Sequence, residues 1–167
     1  GEGEYTIFHI DGKHTAGLMK LPEQAKKMGA PPHWMNYVAV DNTAAATEKA
    51  KGLGAKVIVP PMQAGPGTMS IIQDPTGGMV ALWNTTTPMG SFLWQEPRSL
   101  CWVELHSTDV ETAKTFYGAA FGWTFDTMPM GDFNYFVIKN GTEGIGGMMQ
   151  QPKEMKGAPS TWGAYFS

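Results

Sequence analysis

The chain repeats part of its sequence at long range. Residues 17–40 read GLMKLPEQAKKMGAPPHWMNYVAV and residues 147–167 read GMMQQPKEMKGAPSTWGAYFS. The positions that match are Gly17, Pro22, Gly29, Trp34 and Tyr37 with Gly147, Pro152, Gly157, Trp162 and Tyr165. The preceding stretch also repeats, GEYTIFHI at 3–10 against GDFNYFVI at 131–138. Matched numbers differ by 128 to 130, so 167 residues hold about one and a third units. We interpret the chain as the middle of a longer tandem duplication, or a shifted version of one.

The composition is that of a globular protein that binds neither nucleic acid nor membrane. Hydrophobic residues make up 42% of the chain and charged residues 16%, which is enough apolar surface for a core. A net charge of −3 provides no attraction for nucleic acid or for an anionic membrane. One cysteine, Cys101, excludes an internal disulfide and favours a reducing compartment, so we expect a cytoplasmic protein.

Strand and helix signals divide the chain into two similar modules. The modules span residues 33–88 and 99–150, and each is predicted to have the element order β-α-β-β-β. Asp41 or Thr43 is the predicted cap of the first helix, and Thr108 to Glu111 form a capping box for the second. A hairpin and loop of a preceding unit (1–32), a linker (89–98), and the loop and first strand of a next module (151–167) complete the chain.

This module pattern predicts an α+β fold. Paired βαβββ modules form a strongly curved, mixed sheet of eight strands, with helices on the convex side and a trough on the concave side. We expect the two modules to pair with each other in this way. The leading hairpin and the trailing strand would then be unpaired edges that invite a neighbouring strand, which predicts a homodimer.

Several segments resemble one superfamily of known proteins. The matching segments are CWVELHSTDVETAKTFYGAAFGWTF at 101–125 with its Asp109, FY and FGW motifs, WMNYVAVDNTAAATEKAKGLGAKVIVPP at 34–61, and QDPTGGMVALW at 73–83. Together they resemble the vicinal oxygen chelate superfamily, which includes glyoxalases, extradiol dioxygenases and bleomycin-resistance proteins. The arrangement is similar to that of tandem two-domain members.

The resemblance implies a metal site that these residues do not supply. In catalytic members, a His, Gln or Glu on the first strand and a Glu on the last strand of each module hold a divalent metal. The matching positions here are Trp102 or Val103, Met35 or Trp34, Ala81, and the stretch GIGGMM at 144–149. Such side chains do not ligate metals that prefer oxygen and nitrogen. We therefore expect no metal and no cofactor.

Glu104 and His106 are the candidate catalytic residues. Strand side chains alternate between faces, so both share the face of Trp102. A carboxylate and an imidazole facing the trough can act as an acid–base pair or bind a polar group of a ligand. Alternatively, they form a satisfied polar pair inside the sheet or at a dimer contact.

Aromatic and methionine side chains on the strands predict a binding surface for a flat molecule. The candidate ligand-binding residues are Met35, Tyr37, Trp83, Trp102, Glu104, His106, Phe133 and Tyr135. The alternative is that the apolar members fill a closed core. We expect a metal-free protein of the bleomycin-resistance type that holds a hydrophobic or aromatic small molecule. The alternatives are a glyoxalase-like lyase, isomerase or dioxygenase with a non-standard site around Glu104 and His106, and a protein that keeps the fold but only self-associates.

Overall fold

The computed structural model describes residues 5–27, 29–86, 93–155 and 157–167. Residues 89–92 of the predicted linker lie outside the described residues. The strands and α-helices in chain order are β1 (Tyr5–Ile10), β2 (Lys13–Met19), α1 (Glu23–Lys27), β3 (Tyr37–Ala39), α2 (Thr43–Gly52), β4 (Lys56–Ala64), β5 (Gly67–Gln73), β6 (Met79–Thr85), β7 (Leu100–Ser107), α3 (Val110–Phe121), β8 (Thr124–Met130), β9 (Phe133–Asn140), β10 (Glu143–Gln150) and β11 (Thr161–Phe166), and a short 3-10 helix, Lys153–Met155, precedes β11. Among the described residues, no helix is long and apolar enough for a membrane span.

The two modules have the same strand order. One forms the four-stranded sheet β3-β6-β5-β4, and the other provides β7-β10-β9-β8 of a five-stranded sheet. In both, the first strand lies parallel to the last, with Tyr37 opposite Ala81 and Glu104 opposite Gly147. Parallel neighbours need a crossover connection, and the chain makes it with the helix and the two strands that follow the first strand.

Side-chain caps determine where the two module helices begin. Asp109 accepts a hydrogen bond from the backbone of Thr112 at the start of α3, and Gly122 ends that helix in the left-handed conformation, with φ of 75°. The cap of α2 is Asn42, which accepts from the backbone of Ala45 at 2.9 Å, so the prediction of Asp41 or Thr43 is wrong. The hydroxyl of Thr43 is instead bonded to Thr68 of β5.

The prediction of a single eight-stranded sheet is also wrong. The chain forms separate sheets of two, four and five strands, and the modules do not pair through β3 and β7. β11 occupies the free edge of β7, antiparallel to it, with Tyr165 opposite Trp102. The edge of β7 can pair with only one further strand. Because β11, a sequence repeat of β3, lies there, β3 does not pair with β7. The expected unpaired trailing strand is therefore paired, while the hairpin β1–β2 forms its own sheet.

A buried polar network joins the two modules. Asp74, in the turn between β5 and β6, is 3% exposed and accepts a hydrogen bond from the hydroxyl of Tyr117 on α3 at 2.6 Å. Trp162 of β11 donates to the same hydroxyl at 2.9 Å. The other oxygen of Asp74 accepts from the backbone of Thr76 and Gly78 within its own turn. Burial raises the pKa of Tyr117 and the Asp74 carboxylate raises it further, so this phenol keeps its proton.

The buried core extends over both modules, and the part next to the site lies between α3 and one face of the five-stranded sheet. Leu105, Ile138 and Met148 are almost completely buried on that face, together with Ala113 and Phe116 of the helix. Because strand side chains alternate, the residues between them point to the other side of the sheet. We call this other side, opposite α3, the open face.

Candidate functional site

β7 carries three candidate residues to the open face. Trp102, Glu104 and His106 alternate with the buried Leu105, as the sequence pattern predicts. The side chain of Glu104 is 12% exposed and that of His106 is 28% exposed. A carboxylate that is removed from water to this extent requires hydrogen-bond partners.

The partners of Glu104 come from three strands. Its Oε2 accepts a hydrogen bond from the hydroxyl of Tyr135 on β9 at 2.6 Å. Its Oε1 accepts from the hydroxyl of Tyr165 on β11 at 2.9 Å and from Nε2 of His106 at 2.7 Å. Nε1 of Trp102 donates to the oxygen of Tyr135 at 2.8 Å. We call these five residues the Glu104 network.

A glycine allows Tyr135 to reach the carboxylate. Gly147 of β10 lies between Val137 of β9 and Glu104 of β7, and a Cβ there would overlap the hydroxyl of Tyr135. Any other residue would push that hydroxyl away from Glu104. The hairpin β1–β2 repeats this feature, because a Cβ on Gly17 would overlap the hydroxyl of Tyr5.

The hairpin geometry corrects the sequence alignment of the repeat. Tyr5 pairs with Met19, and Tyr135 pairs with Met149. The structural offset of these strands is therefore 130 residues (135 minus 5, 149 minus 19), whereas the alignment at 3–10 matches Tyr5 with Phe133. Similarity of side chains alone does not determine register, which depends on the strand pairing.

The hydrogen bonds of the network lower the pKa of its carboxyl group and raise the pKa of its two phenols. Burial raises the pKa of Glu104, but hydrogen bonds from Tyr135, His106 and Tyr165 outweigh it and leave the pKa below its ordinary value of 4.5. The pKa of Tyr135 is raised by burial and by its hydrogen bond to Glu104. The hydrogen bond from Tyr165 to Glu104 is the main cause of the raised pKa of Tyr165. At neutral pH the carboxyl is therefore ionised and both phenols keep their protons.

The lowered pKa of Glu104 predicts a pH-dependent stability. A carboxyl whose pKa is lower in the folded chain stabilises the fold above its ordinary value of 4.5, and this contribution is lost as the pH falls through the folded pKa. Glu104→Gln removes this titration. Urea unfolding of both proteins between about pH 7 and about pH 3 should show their difference in free energy of unfolding shrinking below about pH 4.5. A difference independent of pH would contradict the network's role.

Only some of the predicted ligand-binding residues come together. Trp102, Glu104, His106 and Tyr135 are in the network, and Phe133 shares the face of Tyr135 on β9. Tyr37 and Trp83 lie on the other sheet, where their rings make an edge contact with centroids 6.3 Å apart. Met35 precedes β3 and is not on a strand, contrary to the prediction.

Tyr165 is a site residue that the strand pattern does not predict. It lies on β11 and contacts Glu104 only because β11 pairs with β7. The repeat contains the signal, since Tyr165 is the counterpart of Tyr37, which is a candidate. A residue matched to a candidate by an internal repeat is itself a candidate.

The side chains at this site do not fit a divalent metal. Nowhere in the described ranges do three or more His, Cys, Asp or Glu side chains converge so that they could hold a metal ion. Glu104 and His106 provide only two possible metal ligands. The carboxylate of Glu104 already accepts hydrogen bonds from three protein donors. Trp102, at the position matched to the first-strand metal ligand, offers only an N–H donor. The donor set of the catalytic members is therefore not reproduced by these residues.

A cavity of about 340 Å³ lies away from the network. It is lined by β4, β5 and the segment around the start of α2, including Asn42 and Thr43. Both of these side chains are hydrogen-bonded within the protein. The cavity therefore adds no group to the site on the open face.

The strand order of the two modules and the positions of their motifs are those of a glyoxalase-like class of protein. A family model described as Glyoxalase/Bleomycin resistance protein/Dioxygenase superfamily matches residues 1–82, and one described as Bleomycin resistance protein-like N-terminal matches residues 99–139. The chain belongs to this superfamily. The vicinal oxygen chelate resemblance is confirmed.

Curated relatives include longer proteins. CFP32 of Mycobacterium tuberculosis, which carries the name of a glyoxylase, is 36% identical over 169 residues, covering 100% of this chain and 64% of that protein. The anthracycline biosynthesis protein DnrV of Streptomyces peucetius is 32% identical over 133 residues, covering 73% of this chain and 48% of that protein. The chain thus spans less than two thirds of either relative.

Solved structures share the fold. The Mn(II)-bound glyoxalase from Novosphingobium aromaticivorans has a TM-score of 0.51 at 19% identity, over 70% of this chain and 42% of that one. The halotolerant catechol dioxygenase BphC has a TM-score of 0.51 at 15% identity, over 87% and 56%. At these identities the likeness concerns the fold alone.

Proposed function

We propose that this chain is a metal-free small-molecule-binding protein that holds a hydrophobic or aromatic ligand on the open face. The observation that carries the proposal is the Glu104 network, an ionised carboxylate oriented by three donors within an aromatic surface. A fixed polar group in apolar surroundings is typical of small-molecule sites, where the apolar area supplies affinity and the polar group supplies orientation.

Exposed apolar side chains next to the network support this proposal. Met128 lies opposite Tyr135, and Met130 lies opposite Phe133, so all four share the open face. Met128, Met130, Phe133 and Tyr165 are 44 to 51% exposed. Exposed apolar side chains grouped on one face of a sheet are a feature of interaction and ligand-binding surfaces. Methionine also adapts its shape to varied ligands.

The superfamily and the relatives agree with this class of function. The resemblance to bleomycin-resistance proteins implies sequestration of a ligand without its transformation. Two relatives carry the name of anthracycline biosynthesis proteins, which supports a small-molecule ligand for this chain. The proposal for this chain nevertheless depends on its own open face.

A fluorescent probe tests the proposal. N-Phenyl-1-naphthylamine should bind the wild-type protein, and Met130→Ser should weaken binding about tenfold, because one methionine side chain contributes on the order of 1.5 kcal/mol of burial. Met62→Ser is the matched control: Met62 is 50% exposed but lies on β4 of the other sheet. Equal affinities of the two variants, or no binding by the wild type, would contradict the proposal.

One observation favours a second function, an enzyme that transfers protons. His106 bonds Glu104 through Nε2, and Nδ1 has no hydrogen-bond partner within the described part of the chain. An imidazole oriented by a carboxylate is typical of a general base. The test is deuterium exchange at the acidic carbon of 1-phenyl-2-propanone in D₂O, followed by NMR. Exchange that His106→Gln abolishes, while probe binding persists, would favour the lyase or isomerase alternative.

A further inference from the structure

We infer that the Glu104 network selects ligands that carry a hydrogen-bond donor, such as a phenol, an alcohol or an amine, over anionic ligands and ligands that only accept. This inference rests on the proposed binding function and specifies its ligand class. It is carried by the direction of the hydrogen bonds in the network.

The chemistry of the side chains determines that direction. The indole N–H of Trp102 can only donate, so the oxygen of Tyr135 accepts it. The proton of Tyr135 must then point to Glu104, 2.6 Å away. An ionised carboxylate only accepts, so the hydroxyl of Tyr165 and Nε2 of His106 also donate to it.

All four donor hydrogens of the network are therefore used within it. The remaining hydrogen-bonding capacity consists of lone pairs. The oxygen of Tyr135 keeps one lone pair, because the other accepts from Trp102, and the hydroxyl oxygen of Tyr165 donates to Glu104 and keeps both of its lone pairs. Oε2 of Glu104 accepts a single hydrogen bond from the described residues, that of Tyr135. Nδ1 of a neutral His106 is an acceptor as well. A ligand that approaches the network finds acceptors and no free donor.

The charge of the open face also disfavours anionic ligands. Glu104 carries a negative charge at the centre of the network, and it repels carboxylates and phosphates. The basic residue on the same face of β9 is Lys139, which is already paired with Asp126 of β8 at 3.1 Å. An anionic ligand thus meets a negative site whose neighbouring cation is neutralised.

Three naphthalene derivatives of similar shape separate these possibilities. The probes are 2-naphthol, which donates, 2-methoxynaphthalene, which only accepts, and 2-naphthoate, which is anionic. Titration of the wild-type protein, followed by tryptophan fluorescence and by NMR, should show 2-naphthol binding about tenfold more tightly than 2-methoxynaphthalene, as expected for one hydrogen bond to a charged acceptor. The naphthoate should bind most weakly.

The outcomes distinguish this inference from the proposed function. If 2-naphthol and 2-methoxynaphthalene bind equally and Met130→Ser weakens both, the open face binds ligands but the donor preference is wrong. If none of the probes binds, both proposals fail. Stronger binding of the naphthoate would also overturn the inference.

A variant of Glu104 tests the cause of the preference. Glu104→Gln removes the charge and adds an amide donor, so the tenfold gap between naphthol and methoxynaphthalene should close to about twofold or less. Its urea midpoint and near-UV circular dichroism verify that it folds. If the difference in affinity between the two probes stays unchanged in the folded variant, Glu104 is not its cause. If the variant does not fold, the affinities of the three probes for the wild-type protein test the inference.

Discussion

Gly147→Ala is expected to detach Tyr135 from Glu104 and to lower the free energy of unfolding by about 2 kcal/mol, the value of a hydrogen bond to a charged group. The added methyl group would overlap the hydroxyl of Tyr135. The hydroxyl lies at the free end of a side chain, so it moves while β9 and β10 remain paired. Glu104 then loses its shortest hydrogen bond, 2.6 Å long.

Two measurements check this result. Urea unfolding gives the change in stability. Ultraviolet titration of the phenols should show the pKa of Tyr135 returning toward its ordinary range, because burial and the bond to Glu104 raise it in the wild-type chain. Gly144→Ala is the matched control on the same strand, since its Cβ would make only ordinary contacts, 3.5 Å from Val137 and 3.9 Å from Trp102. If both alanine variants titrate alike, Gly147 does not position Tyr135.

Asp74→Ala is expected to cost roughly 3 to 5 kcal/mol, a larger loss of stability than that of Gly147→Ala. The carboxylate is buried and accepts bonds from Tyr117, Thr76 and Gly78. Its removal leaves the buried donors of Tyr117 and Gly78 and the half-buried donor of Thr76 without this acceptor, at a cost of about 1 to 3 kcal/mol for each buried one, although the costs are not fully additive. It also breaks the hydrogen bond between the β5–β6 turn and α3, and this bond connects the two modules.

The free energy of unfolding in urea measures this effect. Asp126→Ala is the control, because Asp126 forms an exposed ion pair with Lys139 and such pairs contribute less than about 1 kcal/mol. Tyr117→Phe should lie between the two, since it removes one donor and leaves the turn bonds of Asp74 intact. Equal losses for Asp74→Ala and Asp126→Ala would show that the buried network does not hold the modules together.

Local periodicity is enough to place four of the five residues of the Glu104 network on the correct face of their own strands. Alternation along β7 places Trp102, Glu104 and His106 on one face, and the same rule places Phe133 and Tyr135 together on β9. These predictions concern neighbours within a strand, where the backbone determines direction. The convergence of β7 and β9 on one carboxylate depends on β10 lying between them with a glycine at position 147.

The prediction of a complete trough fails for a related reason. β3 and β11 are repeats of one sequence, so a pattern cannot tell which of them takes the edge of β7. The structure pairs β11 there, and Ser160, just before this strand, bonds the carbonyl of Thr76 at 2.9 Å. The choice depends on contacts with the β5–β6 turn, far away in the chain.

The sequence by itself determined the repeat, the βαβββ order of each module, the superfamily and the faces of single strands, because these follow from short-range periodicity and from motifs. Only the tertiary structure decided that Tyr165 joins Glu104, that Tyr135 crosses Gly147, and that three sheets form in place of one. The physical reason is that distant segments compete for the same strand edges and hydrogen-bond partners. The outcome depends on the relative free energies of the alternative pairings, which no single segment determines.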